Sequence, residues 1–563
     1  MPHLSRNFTR FLSYVSISFG MNSKTTTIAI IGGGATALYL LKAFVQRNEP
    51  NLQLSIFERG EAFGAGMPYS PEWNNTEHEL NIASKELPEL AIEPHDWLRE
   101  QDAALKQTYG LKDSDINEDI VLPRILFGKY LESLFKHYLS EAKAKKLSVK
   151  LYPSENILNV AKENHGFKVV STNAQYAFDC VIVATGHSWP LADEYHYLAS
   201  PYPLRKLKQI SNQRIGILGA SLTAIDAIRT VAREHGEFLT TTSGLKFRLN
   251  TNTPNFKITM HSRKGLLPNI RYHLEHPRIR KYEYISKEAI MRNIEQNNGF
   301  LSLDYVYKTS YLDTLKLKDP QTYQEIKDLS IEEFCAYYFA REGVKDFSTY
   351  ETKLALMKET EKLRTPLYWK EAMEDTIYTL NFHAKNLSAK DMLRLRNYIM
   401  PIYNHVVMFV PYRSVEELIA LYRAGVLENM ELGFNADLLN GEISYQGTVL
   451  RYDLLINCIG QANMNIEDFP FKDLVRTKVV TQAKIPADNL ALSDLPQGCM
   501  IKDNYLYLPG LAIDDAFQAV NDEAEESKLY LVSIPFIRGF NPDLSGLPLL
   551  NDVAKMVMGN IQA

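Results

Sequence analysis

The sequence predicts an α/β fold in which two parallel-sheet units share one chain with a mostly helical insertion. Three observations predict it. A short apolar strand over 28–31 runs into the glycine-rich turn Gly32-Gly33-Gly34-Ala35-Thr36-Ala37, and a helical stretch follows to Gln46. The same succession returns as a strand over 214–218, the turn Gly219-Ala220-Ser221-Leu222-Thr223-Ala224 and a helix to Arg233. Each turn is answered far downstream by an apolar strand that starts from an aspartate and ends at a glycine, Asp179 to Gly186 and Asp453 to Gly460. Strand, glycine turn, helix and closing strand, given twice, are the pattern of two Rossmann-like dinucleotide-binding domains.

In the first unit the turn reads G-x-G-x-x-A. Gly32 permits the sharp turn, Gly34 lets backbone approach a pyrophosphate, and small Ala37 lets helix pack on strand. A second strand over 52–57 ends at Glu58. This acid lies near the offset of about 20 residues at which a carboxylate binds ribose hydroxyls. A carboxylate there suits a free 2′-hydroxyl and repels a 2′-phosphate, so the adenosine of FAD or NAD is expected.

In the second unit Ser221 stands where the middle glycine would be. Its next strand, over 257–261, arrives late, after a polar, turn-rich stretch over 234–256, and ends at Ser262-Arg263-Lys264. Two cations and a hydroxyl replace the acid of the first unit, a seat for a 2′-phosphate and hence for NADPH. The interval from Gly219 to Gly460 far exceeds that from Gly32 to Gly186, which places inserted material in the second unit. Helical patterns at 331–341, 353–362 and 388–400 make that insertion a mostly helical cap.

Composition bounds the rest. A chain of 563 residues exceeds one ordinary core, and 45% hydrophobic with 23% charged residues is globular composition. A net charge of −5 gives no reason to expect nucleic acid, and no apolar run reaches membrane-spanning length. Cys180, Cys335, Cys458 and Cys499 are too scattered for a C-x-x-C dithiol or a clustered metal site, and suit a reducing, cytoplasmic setting. No H-x-x-x-H pattern supports a metal either. Residues 1–23, basic and serine-rich, are expected to be a disordered extension.

Several blocks together resemble the bacterial FAD-NAD(P)-binding flavoproteins related to N-hydroxylating and Baeyer–Villiger-type monooxygenases. They are Gly32-Gly33-Gly34, Glu58-Arg59, Phe63-Gly64-Ala65-Gly66 with Tyr69, His78-Glu79-Leu80-Asn81, the run Leu122 to Leu131 around Arg124, and Ala184-Thr185-Gly186-His187. Gly219 to Asp226, Ser262 to Pro268, Ile402 to His405 and Pro535 to Gly539 continue the likeness. The resemblance implies a glutathione-reductase-like or flavin-monooxygenase-like fold with FAD in the first site and NADPH in the second. It puts Phe63 to Gly66 and Asn81 near the isoalloxazine and pyrophosphate, Arg124 near the FAD phosphates or nicotinamide, and Thr185, Gly186 and Gly539 among the flavin contacts. Two departures stand out: Ser221 replaces a usual glycine, and no glycine precedes Pro535.

The domains expected are then a discontinuous FAD-binding domain over 24–205 and 461–563, an NADPH-binding domain over 206–284 and 431–460, and a cap over 285–430. The function implied is an NADPH-consuming, FAD-dependent monooxygenase that acts on a small polar substrate with O2 through a flavin C4a-(hydro)peroxide, amine N-hydroxylation being one form. A flavin oxidoreductase serving another acceptor, or an FAD-holding redox sensor, are the alternatives. A flavin needs no side-chain triad, so none is assigned. His261, His273 and His276 could orient substrate or phosphate, His187 could position the flavin, His405 is better read as structural, and Asp226 as a packing or capping group.

Overall fold

The computed structural model describes residues 25–562, apart from 190–191, 212, 277–284, 434–436, 440–441, 446, 488–494, 496–498, 522–526 and 543–545. The extension over 1–23 lies outside the described residues.

The first glycine turn leaves strand β1 (Thr26–Ile31), the centre of a five-stranded sheet. β1 pairs with β2 (Leu52–Phe57) on one side and β7 (Cys180–Val183) on the other. β3 (Ser148–Tyr152) and β21 (Leu529–Leu531) form the edges, and every pairing is parallel. The second sheet has the same plan: β9 (Arg214–Leu218) at the centre, β12 (Lys257–Ser262) and β17 (Leu454–Asn457) beside it, and β13 (Leu427–Glu431) and β8 (Tyr197–Leu198) at the edges. Ahead of the closing strand each unit inserts a three-stranded antiparallel meander. In the first it is β4 (Ile157–Glu163), β5 (Gly166–Ser171) and β6 (Gln175–Phe178), and in the second β14 (Asp437–Leu439), β15 (Glu442–Tyr445) and β16 (Thr448–Arg451). All four residues of β7 are buried, as expected of a parallel strand covered on both faces.

Helix α1 (Ala35–Arg47) is buried continuously from Ala37 to Val45, because it lies between the sheet, helix α2 (Arg124–Ala144) and the C-terminal helix, here α9 (Leu547–Asn560). Each fully buried Leu or Phe on it contributes about 1.5–3 kcal/mol. Polar ties fix the angle: Lys42 Nζ donates to Asn551 Oδ1 at 2.9 Å, and Arg47 to the Ile561 carbonyl at 2.6 Å. In the second unit α3 (Leu222–His235) takes the place of α1.

Between β12 and β13 the chain builds the helical insertion. Its main helices are α4 (Ile331–Glu342), α5 (Phe347–Leu363), α6 (Tyr368–His383) and α7 (Met400–Val407). Ser286, Ser302, Ser330, Asp346 and Ser388 each cap a helix there through a side-chain oxygen, so the local sequence stops and starts these helices itself.

Three readings change. Residues 234–256 are not a turn-rich link but carry the hairpin β10 (Gly236–Thr241) and β11 (Gly244–Leu249). The helix read over 388–400 is helical throughout, but it widens into a π-helical segment at Leu395–Ile399 and runs on into α7. The cap read over 285–430 gives up its last part: α8 (Tyr412–Arg423) packs on β11 and α3, and β13 joins the second sheet. Amphipathic spacing shows that α8 has an apolar face, but not which core receives it. A further small sheet, β18 (Gln482–Pro486), β20 (Tyr505–Leu511) and β19 (Met500–Lys502), precedes β21.

Candidate functional site

The two glycine turns are built alike at their first residue. Gly32 has φ +111°, and a Cβ there would lie 2.2 Å from the Ala184 carbonyl oxygen of the closing strand. Gly219 has φ +118°, with a Cβ position 2.5 Å from the Cys458 carbonyl oxygen. Only glycine combines the left-handed backbone with that contact.

Around the first turn the other small residues serve close approach. A Cβ on Gly33 would lie 2.7 Å from the Phe63 ring, and the Gly34 and Gly66 backbones face each other. Gly64 N–H donates to the Gly33 carbonyl at 2.7 Å, which brings the 63–66 loop over the turn. Glu58, at the end of β2, accepts from Gly33 N–H at 2.7 Å and from Gly60 N–H at 2.8 Å. Helix α1 starts at Gly34 with no side-chain cap. Its first-turn N–H groups, at Ala35, Thr36 and Ala37, thus suit a phosphate as their acceptor. The cradle fits a dinucleotide pyrophosphate with an acid at its ribose end. Arg59, just beyond Glu58, is exposed.

The second turn matches at the helix and differs at the ribose end. Ser221 stands at the N-cap of α3 without capping it. At the end of β12, Ser262 Oγ donates to the Leu266 carbonyl at 3.3 Å, and Lys264 Nζ lies 3.9 Å over the Phe339 ring of α4. Of the two cations read as a phosphate seat, Arg263 lines the cavity between the units, while Lys264 is turned onto the insertion.

That cavity has a volume of about 630 Å³. Asn81, Arg124, Ser221, Leu222, Thr223 and Arg263 from the sequence-predicted set line it. The first turn with Glu58, Arg59, Phe63, Gly64 and Gly66 does not, nor do Thr185, Gly186, Gly219, Ser262, Lys264 and Gly539. Thr185 is tied to Ser533 by its N–H and hydroxyl, both at 2.9 Å. Gly539 packs under the small third sheet, where a Cβ would lie 2.4 Å from the Pro509 carbonyl oxygen, and its own carbonyl accepts from Arg396. The cavity therefore opens from the far side of the 63–69 loop toward the second turn. The insertion (Tyr403, Asn404, His405) and the start of α9 (Gly546 to Leu549) close it.

Charge is managed at the seam between units. Arg124 donates its Nε–H to the Glu79 carbonyl at 3.0 Å and forms an ion pair with buried Asp226 on α3. Asp226 is thus an interdomain counter-ion, and Arg124, besides facing the cavity, joins the two units. One turn on, Arg229 pairs through Nε with Glu417 of α8 at 2.8 Å and through Nη1 with Glu79 at 3.4 Å, while Arg233 reaches Glu417 at 2.7 Å. His78 Nε2 and Thr230 Oγ1 are 3.0 Å apart. Burial would raise the Glu417 carboxyl, but Arg229 and Arg233 outweigh it and hold the group down at about 2.

Sequence reasoning missed the aromatic wall. Trp189 and Tyr202 rings lie 4.8 Å apart, Trp73 lies 6.3 Å from Tyr202, and all three line the cavity. Strand-and-turn patterns carry no signal for loop aromatics that converge from 73, 189 and 202. The histidines sort differently from expectation. His261, His273 and His276 do not line the cavity: His261 is buried against Tyr452, 2.7 Å from its hydroxyl, His273 lies 3.8 Å from Glu361, and the His276 N–H donates to Glu371. His187 and His405 do line it, and burial depresses both, His187 to about 4 and His405 to about 3. Both rings are neutral at physiological pH. Among the described residues, no group of three or more His, Cys, Asp or Glu could hold a metal ion. No helix among them is long and apolar enough to cross a membrane.

Residues 286–407 match the family model of the YdhS-like middle domain, which stops before α8 as the structure does. The chain is 29% identical over 482 residues to the uncharacterized protein YdhS of Escherichia coli (strain K12), covering 82% of this chain and 88% of that one. Among solved structures, the ornithine N-hydroxylase KtzI of Kutzneria sp. 744 superposes with a TM-score of 0.46 at 11% identity, covering 95% of this chain and 98% of that one. The ornithine hydroxylase PvdA of Pseudomonas aeruginosa gives 0.46 at 12% identity, over 95% and 98%. Over residues 29–188, from β1 to just past the closing strand of the first unit, the chain matches the family model described as FAD-NAD(P)-binding.

Proposed function

We propose that this chain is an NADPH-consuming, FAD-dependent monooxygenase acting on a small polar substrate, with N-hydroxylation of an amine as the narrower form. One observation carries the reading: a single cavity is lined both by the second glycine turn, from Ala220 to Thr223, and by residues following the 63–66 loop of the first, from Met67 to Tyr69. A nicotinamide held at the second turn and a flavin ring held under that loop would meet there.

In this reading Gly32 to Ala37 and Glu58 hold the FAD pyrophosphate and ribose, with Phe63, Gly64 and Gly66 over them. Ser221, Leu222, Thr223 and Arg263 hold NADPH, with Ser262 at the rim. Bound flavin supplies hydride acceptance and oxygen chemistry; the chain supplies position and dryness. Trp73, Trp189 and Tyr202 exclude water from one side of the cavity. The Arg124–Asp226 pair keeps the two units in register across it.

The test is NADPH oxidation by purified, yellow protein with and without O2, with peroxide measured alongside. The reading requires a flavin absorption spectrum and oxygen-dependent turnover. Equal turnover on a non-oxygen acceptor under argon would replace it with an acceptor oxidoreductase. A colourless protein that takes up no added FAD would end both readings.

A further inference from the structure

The insertion brings its own polar group to the cavity. His405 of α7 lines it, and the Tyr338 hydroxyl on α4 lies 2.7 Å from His405 Nδ1. Tyr338 is buried, and the imidazole nitrogen is the acceptor its O–H has, so Nδ1 accepts and the ring proton sits on Nε2. Nε2 is buried and without a hydrogen-bond partner. The Leu267 backbone beside it favours the charged ring slightly, yet does not meet hydrogen-bond geometry. Burial first, and then the cations of Lys353 and Lys370 behind the ring, keep it neutral. A buried donor left unpaired is destabilising, and a ligand acceptor in the cavity would remove that penalty.

The charges around it point the same way. Among the described residues that line the cavity, the ionised groups are Arg124, Arg263 and Arg538, and no aspartate, glutamate or lysine is present. Asp226 neutralises Arg124 from behind. With Arg124 paired to Asp226 and Arg263 given to NADPH, an ammonium group entering this space would lose its water and find no carboxylate, whereas a carboxylate would meet the Arg538 guanidinium and the His405 N–H.

We propose that His405, held by Tyr338, is a binding group for an anionic oxygen, and that the substrate of the cavity is a small organic carboxylate anchored by that group. Amine chemistry, where it occurs, would take place on the far end of an acid anchored at the middle domain. The proposal rests on the cavity being the substrate site and does not depend on which reaction follows.

The test is equilibrium binding to the full-length, flavin-loaded protein, read by isothermal titration calorimetry and by the change in tryptophan fluorescence, two of whose four sources, Trp73 and Trp189, stand in the cavity wall. Succinate and glutarate are titrated against 1,4-diaminobutane and 1,5-diaminopentane. The dicarboxylates give a saturable change and the diamines none. His405→Ala weakens dicarboxylate binding by about tenfold or more, and His405→Gln, which keeps a donor, recovers part of the loss. Tyr338→Phe, which preserves the shape of the wall, also weakens binding and serves if His405→Ala loses its flavin spectrum. Diamines binding as tightly as the acids, no dicarboxylate binding at all, or wild-type affinity in both His405→Ala and Tyr338→Phe would each overturn the proposal. Because binding needs no turnover, a protein that binds the acids and never oxidises NADPH loses the proposed reaction and keeps this site.

Discussion

At Gly32 a single missing methyl decides whether the first sheet closes over its turn. A Cβ 2.2 Å from the Ala184 oxygen, on a left-handed backbone, cannot be relieved by a rotamer change because both partners are backbone. Gly32→Ala is expected to cost about 3 kcal/mol or more and to abolish flavin retention, measured by chemical unfolding and by the visible spectrum. Gly219→Ala should leave the flavin bound and raise the KM for NADPH, since its clash, with Cys458, lies wholly within the second unit. At the ribose end of that site, Arg263→Ala should raise the NADPH KM by about tenfold with a smaller effect on NADH, and Lys264→Ala should do much less. The glycines and Glu58 were legible in the sequence because their roles are local to a strand–turn–helix. The direction of Lys264 was not, because Phe339 of the distant insertion sets it.

Among the elements, α3 shows how a helix can be read correctly and still be half understood. Its start after Ser221 and its apolar face follow from spacing, and the structure extends it only to His235. What the pattern does not tell is that Asp226, Arg229 and Arg233 on it are matched to Arg124, Glu79 and Glu417, residues far away in sequence. Without those partners, the sequence alone assigns α8 to the cap. Glu417→Ala leaves Arg229, 1% exposed, without its main counter-ion, and is expected to cost about 3–5 kcal/mol by thermal or chemical unfolding. The pH dependence has a definite sign. The folded carboxyl of Glu417 is held near 2 against an ordinary 4.5, so its contribution is complete above 4.5 and is lost as pH falls from there toward 2. Glu417→Ala should flatten the acid side of the stability profile over that window.

Taken whole, the molecule is two copies of one plan, with a helical body grown from the crossover between β12 and β13 of the second. The repeat was visible from the sequence because its glycine turns and aspartate-led closing strands mark both ends of each unit. The residues that line the cavity were visible only in part, since they come from segments scattered along the chain with no shared spacing. If FAD fills the first cradle, unfolding should depend on its concentration, with about 2.7 kcal/mol gained at a hundredfold excess over Kd; a midpoint independent of added FAD in flavin-stripped protein would contradict that assignment.

The two units are nested rather than consecutive. Every strand of the second sheet lies between Tyr197 and Asn457, whereas the first sheet begins at Thr26 and receives its edge strand at Leu529, with α9 then sealing α1. On a chain that emerges from the ribosome amino end first, the inner unit has all of its strands before the outer one does. The amino-terminal segment, with its glycine turn already made, must stay open through most of synthesis. The first sheet is then the last to be completed, and a translation arrest short of residue 529 leaves the second unit with all of its strands beside an unfinished first one.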